Sequence, residues 1–100
     1  MTEFTESVIE IIKMIPYGKV MTYGQIASVA GNSRGARQVS RILHSMSEKH
    51  NLPWHRVINS KGGISLTGEP GFVQTNMLIQ ENITVNNKKI DLKNYLFIIE

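Results

Sequence analysis

The stretch MTYGQIASVAGNSRGARQVSRIL, residues 21–43, leaves the chain little choice of fold. Thr22 and Gln25 have the spacing of a capping box, in which each side chain satisfies an orphan backbone donor, so a helix starts at Thr22. Gly31 and Asn32 both tolerate the left-handed conformation that ends helices, and Ser33 is placed to cap a second helix running to about Met46. Two helices separated by Gly-Asn-Ser make a helix-turn-helix candidate, although spacing alone does not fix the angle between them.

Wound at about 100° per residue, the second helix turns Arg34, Arg37, Gln38, Arg41 and His44 to one face and Ala36, Val39 and Leu43 to the other. One face is basic and the other can bury. Gly35 and Ala36 keep the helix start slim, as close approach to a nucleic acid requires. The three arginines have no acidic partner within one turn, which favours DNA contact over an ordinary solvated face.

The charge along the chain points the same way. The net charge is +3, but Glu3, Glu6 and Glu10 open the chain without a base, while residues 11–61 set eight cations against Glu48 alone. A central basic block suits a polyanion, since each phosphate contact releases counterions; on charge alone a solvated surface is an equal reading. One hundred residues suffice for a single domain, 1–100, with a modest core. No apolar run approaches the roughly 20 residues needed to span a bilayer, and the acidic start is unlike a signal peptide, so a cytoplasmic protein without membrane contact is expected.

Elsewhere the pattern is coarser. FTESVIEIIKMI is an amphipathic helix ended by Pro16, and HRVI is a short buried strand before a Lys61-Gly62-Gly63 turn. GFVQTNMLIQEN forms another helix, carrying Glu81. The strand-like runs ITV and KIDL around Asn86-Asn87 allow a small hairpin or wing, and YLFII docks on the core. The expectation is a mainly α fold with small β elements, a winged-helix-like domain built on the helix-turn-helix.

Composition removes several chemistries. With no cysteine there is no thiol nucleophile and no disulfide. His44, His50 and His55 lack the cysteine or carboxylate partners of a zinc site, no phosphate-binding glycine loop is present, and no serine sits in a nucleophile elbow. No metal and no cofactor are expected. Tyr23 shares a face with Ile26, Ala27 and Ala30 and reads equally as core or as functional.

Taken together, IPYGKVMTYGQIASVAGNSRGARQVSRIL and PWHRVINSKGG resemble the DNA-binding and active-site region of the O6-alkylguanine-DNA alkyltransferases, over roughly Phe4 to Glu81. In that family a Pro-Cys-His-Arg motif supplies the cysteine that takes the alkyl group from a flipped-out guanine. Trp54 stands in its place, the pattern of the non-catalytic alkyltransferase-like branch, which this chain also resembles in being short. Indole has no thiolate form, so the alkyl acceptor is gone. The resemblance implies a monomer that does no chemistry. It would bind double-stranded DNA containing O6-alkylguanine and hand the lesion to nucleotide excision repair proteins.

The resemblance also implies roles for particular residues. Arg37 matches the arginine that fills the place of the extruded nucleotide, and Tyr23 the tyrosine that crowds the phosphate beside it. The helix from Ser33, with Arg34, Gln38 and Arg41, would lie in the minor groove. Tyr23, Leu43, Trp54, Val57, Thr67 and Gly68 would line the lesion pocket, with the small Thr67 leaving room for bulky substituents. His55 and Glu81 match the former catalytic network and, with Arg56, would now hold the pocket together. The family's hinge asparagine falls near Met46, where no equivalent stands. Two other classes stay open: a winged-helix regulator reading undamaged DNA, and an enzyme using His55 as a base.

Overall fold

The computed structural model describes residues 1–99. Its first element is α1 (Glu3–Met14), where Thr2 caps the start by accepting from the Thr5 amide and Val8, Ile9, Ile11 and Ile12 turn inward. A two-residue strand, β1 (Met21–Thr22), leads into α2 (Tyr23–Val29). The capping box forms as expected: the Thr22 hydroxyl accepts from the Gln25 amide and the Gln25 side chain from the Thr22 amide. Gly31, at φ +101°, turns the chain away.

The next helix, α3 (Ala36–His50), is longer and later than its sequence predicts. Ser33 does not cap it: the helix starts after Gly35 with no side-chain cap, and Ser33 and Arg34 lie in the preceding turn. That turn is closed by Asn32, whose side chain accepts from the Arg34 amide and whose carbonyl accepts from the Gly35 amide. Asn32 therefore takes the anchoring role expected of Ser33. The far end runs past Met46 because nothing between them breaks a helix; Asn51 stops it in the left-handed conformation, and Pro53 then holds Leu52 out of helical geometry.

The chain then makes one 3-10 turn, Trp54–Arg56, and a second strand, β2 (Val57–Ile58). β2 pairs in parallel with β1, Met21 opposite Val57 and Thr22 opposite Ile58. Successive strand residues point to opposite faces, and this small ladder divides the interior accordingly. Met21 and Val57 join the cluster made by α1, α2 and α3, including Ile12, Ile26, Val39 and Leu43. Val20 and Ile58 join a second cluster with Ile64, Leu78, Ile83 and Ile90.

α4 (Gly68–Gln80) and α5 (Leu92–Tyr95) complete the helices. The expected wing shrinks to its turn. Asn86 and Lys89 bridge across Asn87 and Lys88, both with positive φ, while Lys89 also bridges to Gly63. KIDL is not a strand, because Asp91 accepts from the Lys93 amide and starts α5. The last segment docks as expected: the Val20 amide donates to the Tyr95 carbonyl, the Phe97 amide donates to the Val20 carbonyl, and Phe97 and Ile99 pack on the first cluster. Among the described residues no helix is long and apolar enough to cross a membrane.

Candidate nucleic-acid interface

α3 presents the basic face that its periodicity requires. Arg37, Gln38, Arg41 and His44 are exposed while Val39 and Leu43 are buried beneath them. None of Arg34, Arg37 and Arg41 has an ion-pair partner among the described residues. Unpaired guanidinium groups on one exposed helix face are free to meet phosphates. Arg34 reaches this surface from the turn and not from the helix. Gly35 serves a different purpose from the one expected of it: it is buried, and a Cβ there would fall 2.9 Å from the Phe4 ring. Its size lets α1 and α3 approach each other.

Beside this face lies a cavity of about 800 Å³. Ser40, Leu43, His44 and Ser47 of α3 form one wall, and Trp54 and His55 of the 3-10 turn form another, with Tyr23 between them in the lining. Leu66, Pro70 and Met77 close the far side. Three residues expected on the wall are not on it. Val57 is fully buried in β2, packed into the first cluster. Thr67 and Gly68 are exposed at the start of α4, and the wall in that stretch is made by their neighbours Leu66 and Pro70.

Tyr23 packs against the first cluster and also lines the cavity, and burial pushes its hydroxyl pKa up, keeping it a neutral donor. Trp54, half-buried, meets the His55 ring edge-on at 6.3 Å between centroids. Pro53, just ahead of the 3-10 turn, fixes the backbone from which the indole projects.

Behind the wall, Glu81 ties the site together. Its carboxylate accepts from His55 Nε2 at 2.6 Å, from Arg56 Nε and Nη2 at 3.0 and 2.8 Å, and from the Gly18 amide at 2.8 Å. Burial opposes its charge, but hydrogen bonds from Arg56, Gly18 and His55 outweigh that and hold its pKa down at about 2. Arg56 also donates to the Ile15 carbonyl, linking the site to the end of α1. Because His55 Nε2 faces a carboxylate it is the donor, so in the neutral ring Nδ1 is the acceptor; that atom is buried with no partner among the described residues. The imidazole is thus held by the carboxylate, and among the described residues no hydroxyl is bonded to its Nδ1.

The arrangement has known counterparts. The family model for the 6-O-methylguanine DNA methyltransferase DNA-binding domain matches residues 3–83. The chain belongs to this family. It is 44% identical over 93 residues to a DNA base-flipping protein of Escherichia coli, covering 92% of this chain and 72% of that one. It is 48% identical over 65 residues to an alkyltransferase-like protein of Schizosaccharomyces pombe, covering 65% and 60% of the two chains. A solved structure of an S. pombe alkyltransferase-like protein, in complex with damaged DNA containing O6-carboxymethylguanine, superposes with a TM-score of 0.87. It is 35% identical, over 99% of this chain and 98% of that one. The fold is therefore that of an alkyltransferase-like protein, with Trp54 in the motif Pro-Trp-His-Arg.

One structural residue of this alkyltransferase-like chain escapes sequence reasoning. Gln74 is 2% exposed, and its amide donates to the His55 carbonyl at 3.1 Å and the Val57 carbonyl at 3.0 Å. It staples the Trp54–Arg56 turn to α4. The available signal is a polar side chain on the stripe that Gly71 and Leu78 otherwise make buried and apolar. Gly71 itself is required by the loop, since a Cβ there would overlap the Leu66 carbonyl.

Proposed function

We propose that this protein is a sensor of alkylated DNA that performs no alkyl transfer. It binds duplex DNA through the minor groove with α3 and rotates an O6-alkylguanine nucleotide into the cavity beside that helix. The carrying observation is Trp54 lining a cavity of about 800 Å³ in a chain without any cysteine. That volume lies in the upper part of the roughly 300–1,000 Å³ typical of pockets for drug-sized ligands. A single base leaves space beside it for a substituent. Flipping is the physical requirement, because the O6 group of a stacked guanine is not open to inspection in a closed pocket; the cost is a few kcal/mol, and least at a damaged pair.

In this reading Arg37 fills the space left by the base, Tyr23 crowds the adjacent phosphate, and the Trp54 ring offers an apolar face to the purine. His55, Arg56 and Glu81 act as a frame. Without chemistry of its own, the bound complex is a marker, and its consumer is nucleotide excision repair. The support comes from two relatives: one is a DNA base-flipping protein, and the other was crystallised on damaged DNA.

The deciding experiment is binding to one short duplex with and without a single O6-methylguanine, at two salt concentrations, followed by mass analysis of protein and DNA. Preference for the lesion with both masses unchanged is the expected result. Equal affinity for both duplexes, or a methyl group gained by the protein or lost from the DNA, overturns the proposal. A consensus selected from undamaged DNA would instead point to a transcriptional regulator.

A further inference from the structure

The basic face of α3 conceals the charge of the cavity beside it. Ser40, His44, Glu48 and the C-cap Asn51 recur every three or four residues, with Ser47 beside them, so one side of α3 runs along the cavity. Among the described residues no lysine or arginine lines it. Glu48 is the only acid among the described lining residues, is exposed to solvent, and forms no ion pair with any described residue. The remaining titratable groups on the wall are Tyr23, neutral through burial, and the imidazoles His44 and His55. The rest of the lining, at Leu52, Pro53, Trp54, Leu66, Pro70 and Met77, is apolar, and offers an anionic substituent no compensating cation.

We infer that Glu48 makes this cavity selective by charge, admitting O6 substituents that are neutral or cationic and disfavouring those that end in a carboxylate. The inference rests on the cavity being the lesion site. It also sets this chain against its relative from S. pombe, whose solved complex contains O6-carboxymethylguanine, an anionic adduct. The effect is modest because Glu48 is partly hydrated. Two negative charges sharing the cavity, in a medium between protein and water in dielectric, repel enough to weaken binding about three- to tenfold, and added salt reduces this.

The test is a ratio. Dissociation constants are measured for duplexes carrying guanine, O6-methylguanine, O6-carbamoylmethylguanine and O6-carboxymethylguanine, the last two nearly equal in size and different in charge. Wild-type protein, Glu48→Gln and Glu69→Gln are compared; Glu69 is an acid on α4 outside the cavity lining. Removing any negative charge strengthens DNA binding in general, and the ratio cancels that gain. The wild type and Glu69→Gln should bind the carboxymethyl duplex about three- to tenfold more weakly than the carbamoylmethyl duplex, and Glu48→Gln should bind both within about twofold. Equal binding by the wild type, or a penalty that survives in Glu48→Gln, overturns the inference. Failure of the lesion reading looks different: O6-methylguanine is then bound no better than guanine by any variant, and the inference falls with it.

Discussion

Replacing Glu81 by glutamine should expose how much of the site's frame depends on one carboxylate. In the wild type the carboxylate takes four short hydrogen bonds, from His55, Arg56 and the Gly18 amide. A glutamine keeps one carbonyl oxygen and turns an NH2 towards donors it cannot pair with. Arg56 is left inside without its counter-ion, with its side chain 18% exposed. Breaking a buried pair costs about 3–5 kcal/mol, and the residual hydration of Arg56 places this one near the lower figure. Linkage gives a similar bound. The pKa falls from 4.5 to about 2 on folding, which corresponds to at most about 3 kcal/mol. Since the folded value is the lower one, this stability is fully present above pH 4.5 and is lost as pH falls through 2. Urea unfolding of both proteins across this range should therefore show a gap of about 3 kcal/mol at pH 6 that closes steadily below pH 4.5. A gap that stays constant with pH, or none at pH 6, would refute the assignment of Glu81 as a charged keystone.

Three further outcomes follow from the same geometry. Arg37→Ala should weaken binding to an O6-methylguanine duplex by about 1–3 kcal/mol and make the salt slope shallower by about one, measured by fluorescence anisotropy; normal binding would remove α3 from the groove. Trp54→Cys should take up little or no methyl group from such a duplex by intact-protein mass, because the hinge asparagine that the family resemblance places near Met46 is missing; efficient uptake would show that the site is otherwise intact. Gly71→Ala should lower stability by about 1–3 kcal/mol through overlap with the Leu66 carbonyl, read from the urea midpoint, and an unchanged midpoint would mean the loop moves freely.

The parts of this fold that were legible in the sequence are those set within one turn of chain. Thr22 and Gln25 announce α2 because a capping box is a contact between residues three apart, and the outward face of α3 follows from its period alone. The errors lie where a local signal had two readings. Ser33 is an adequate cap by type, but Asn32 holds the Arg34 and Gly35 amides in a turn and the helix starts at Ala36. Asp91 can sit in a strand or cap a helix, and with the Lys93 amide within reach it caps. Gly35 is small for the sake of Phe4, a partner on another helix that no window around Gly35 contains.

The cavity shows why the rest was hidden. Its walls come from α2, α3, the 3-10 turn, α4 and the loop before α4, so its composition depends on how distant segments are set against one another. Of the residues that matching to a family motif places in the cavity, Tyr23, Leu43 and Trp54 line it, while Val57 is buried in β2. Thr67 and Gly68 do not line it either, because the chain between Gly63 and α4 is positioned by contacts outside any motif: Lys88 Nζ donates to the Leu66 carbonyl, and Gly71 admits that same carbonyl against α4. Leu66 and Pro70 therefore face the cavity and Thr67 faces solvent. The part of the wall at Leu66 is set by a turn some twenty residues further along, which makes Lys88 and Gly71 as relevant to the shape of the cavity as the residues that line it.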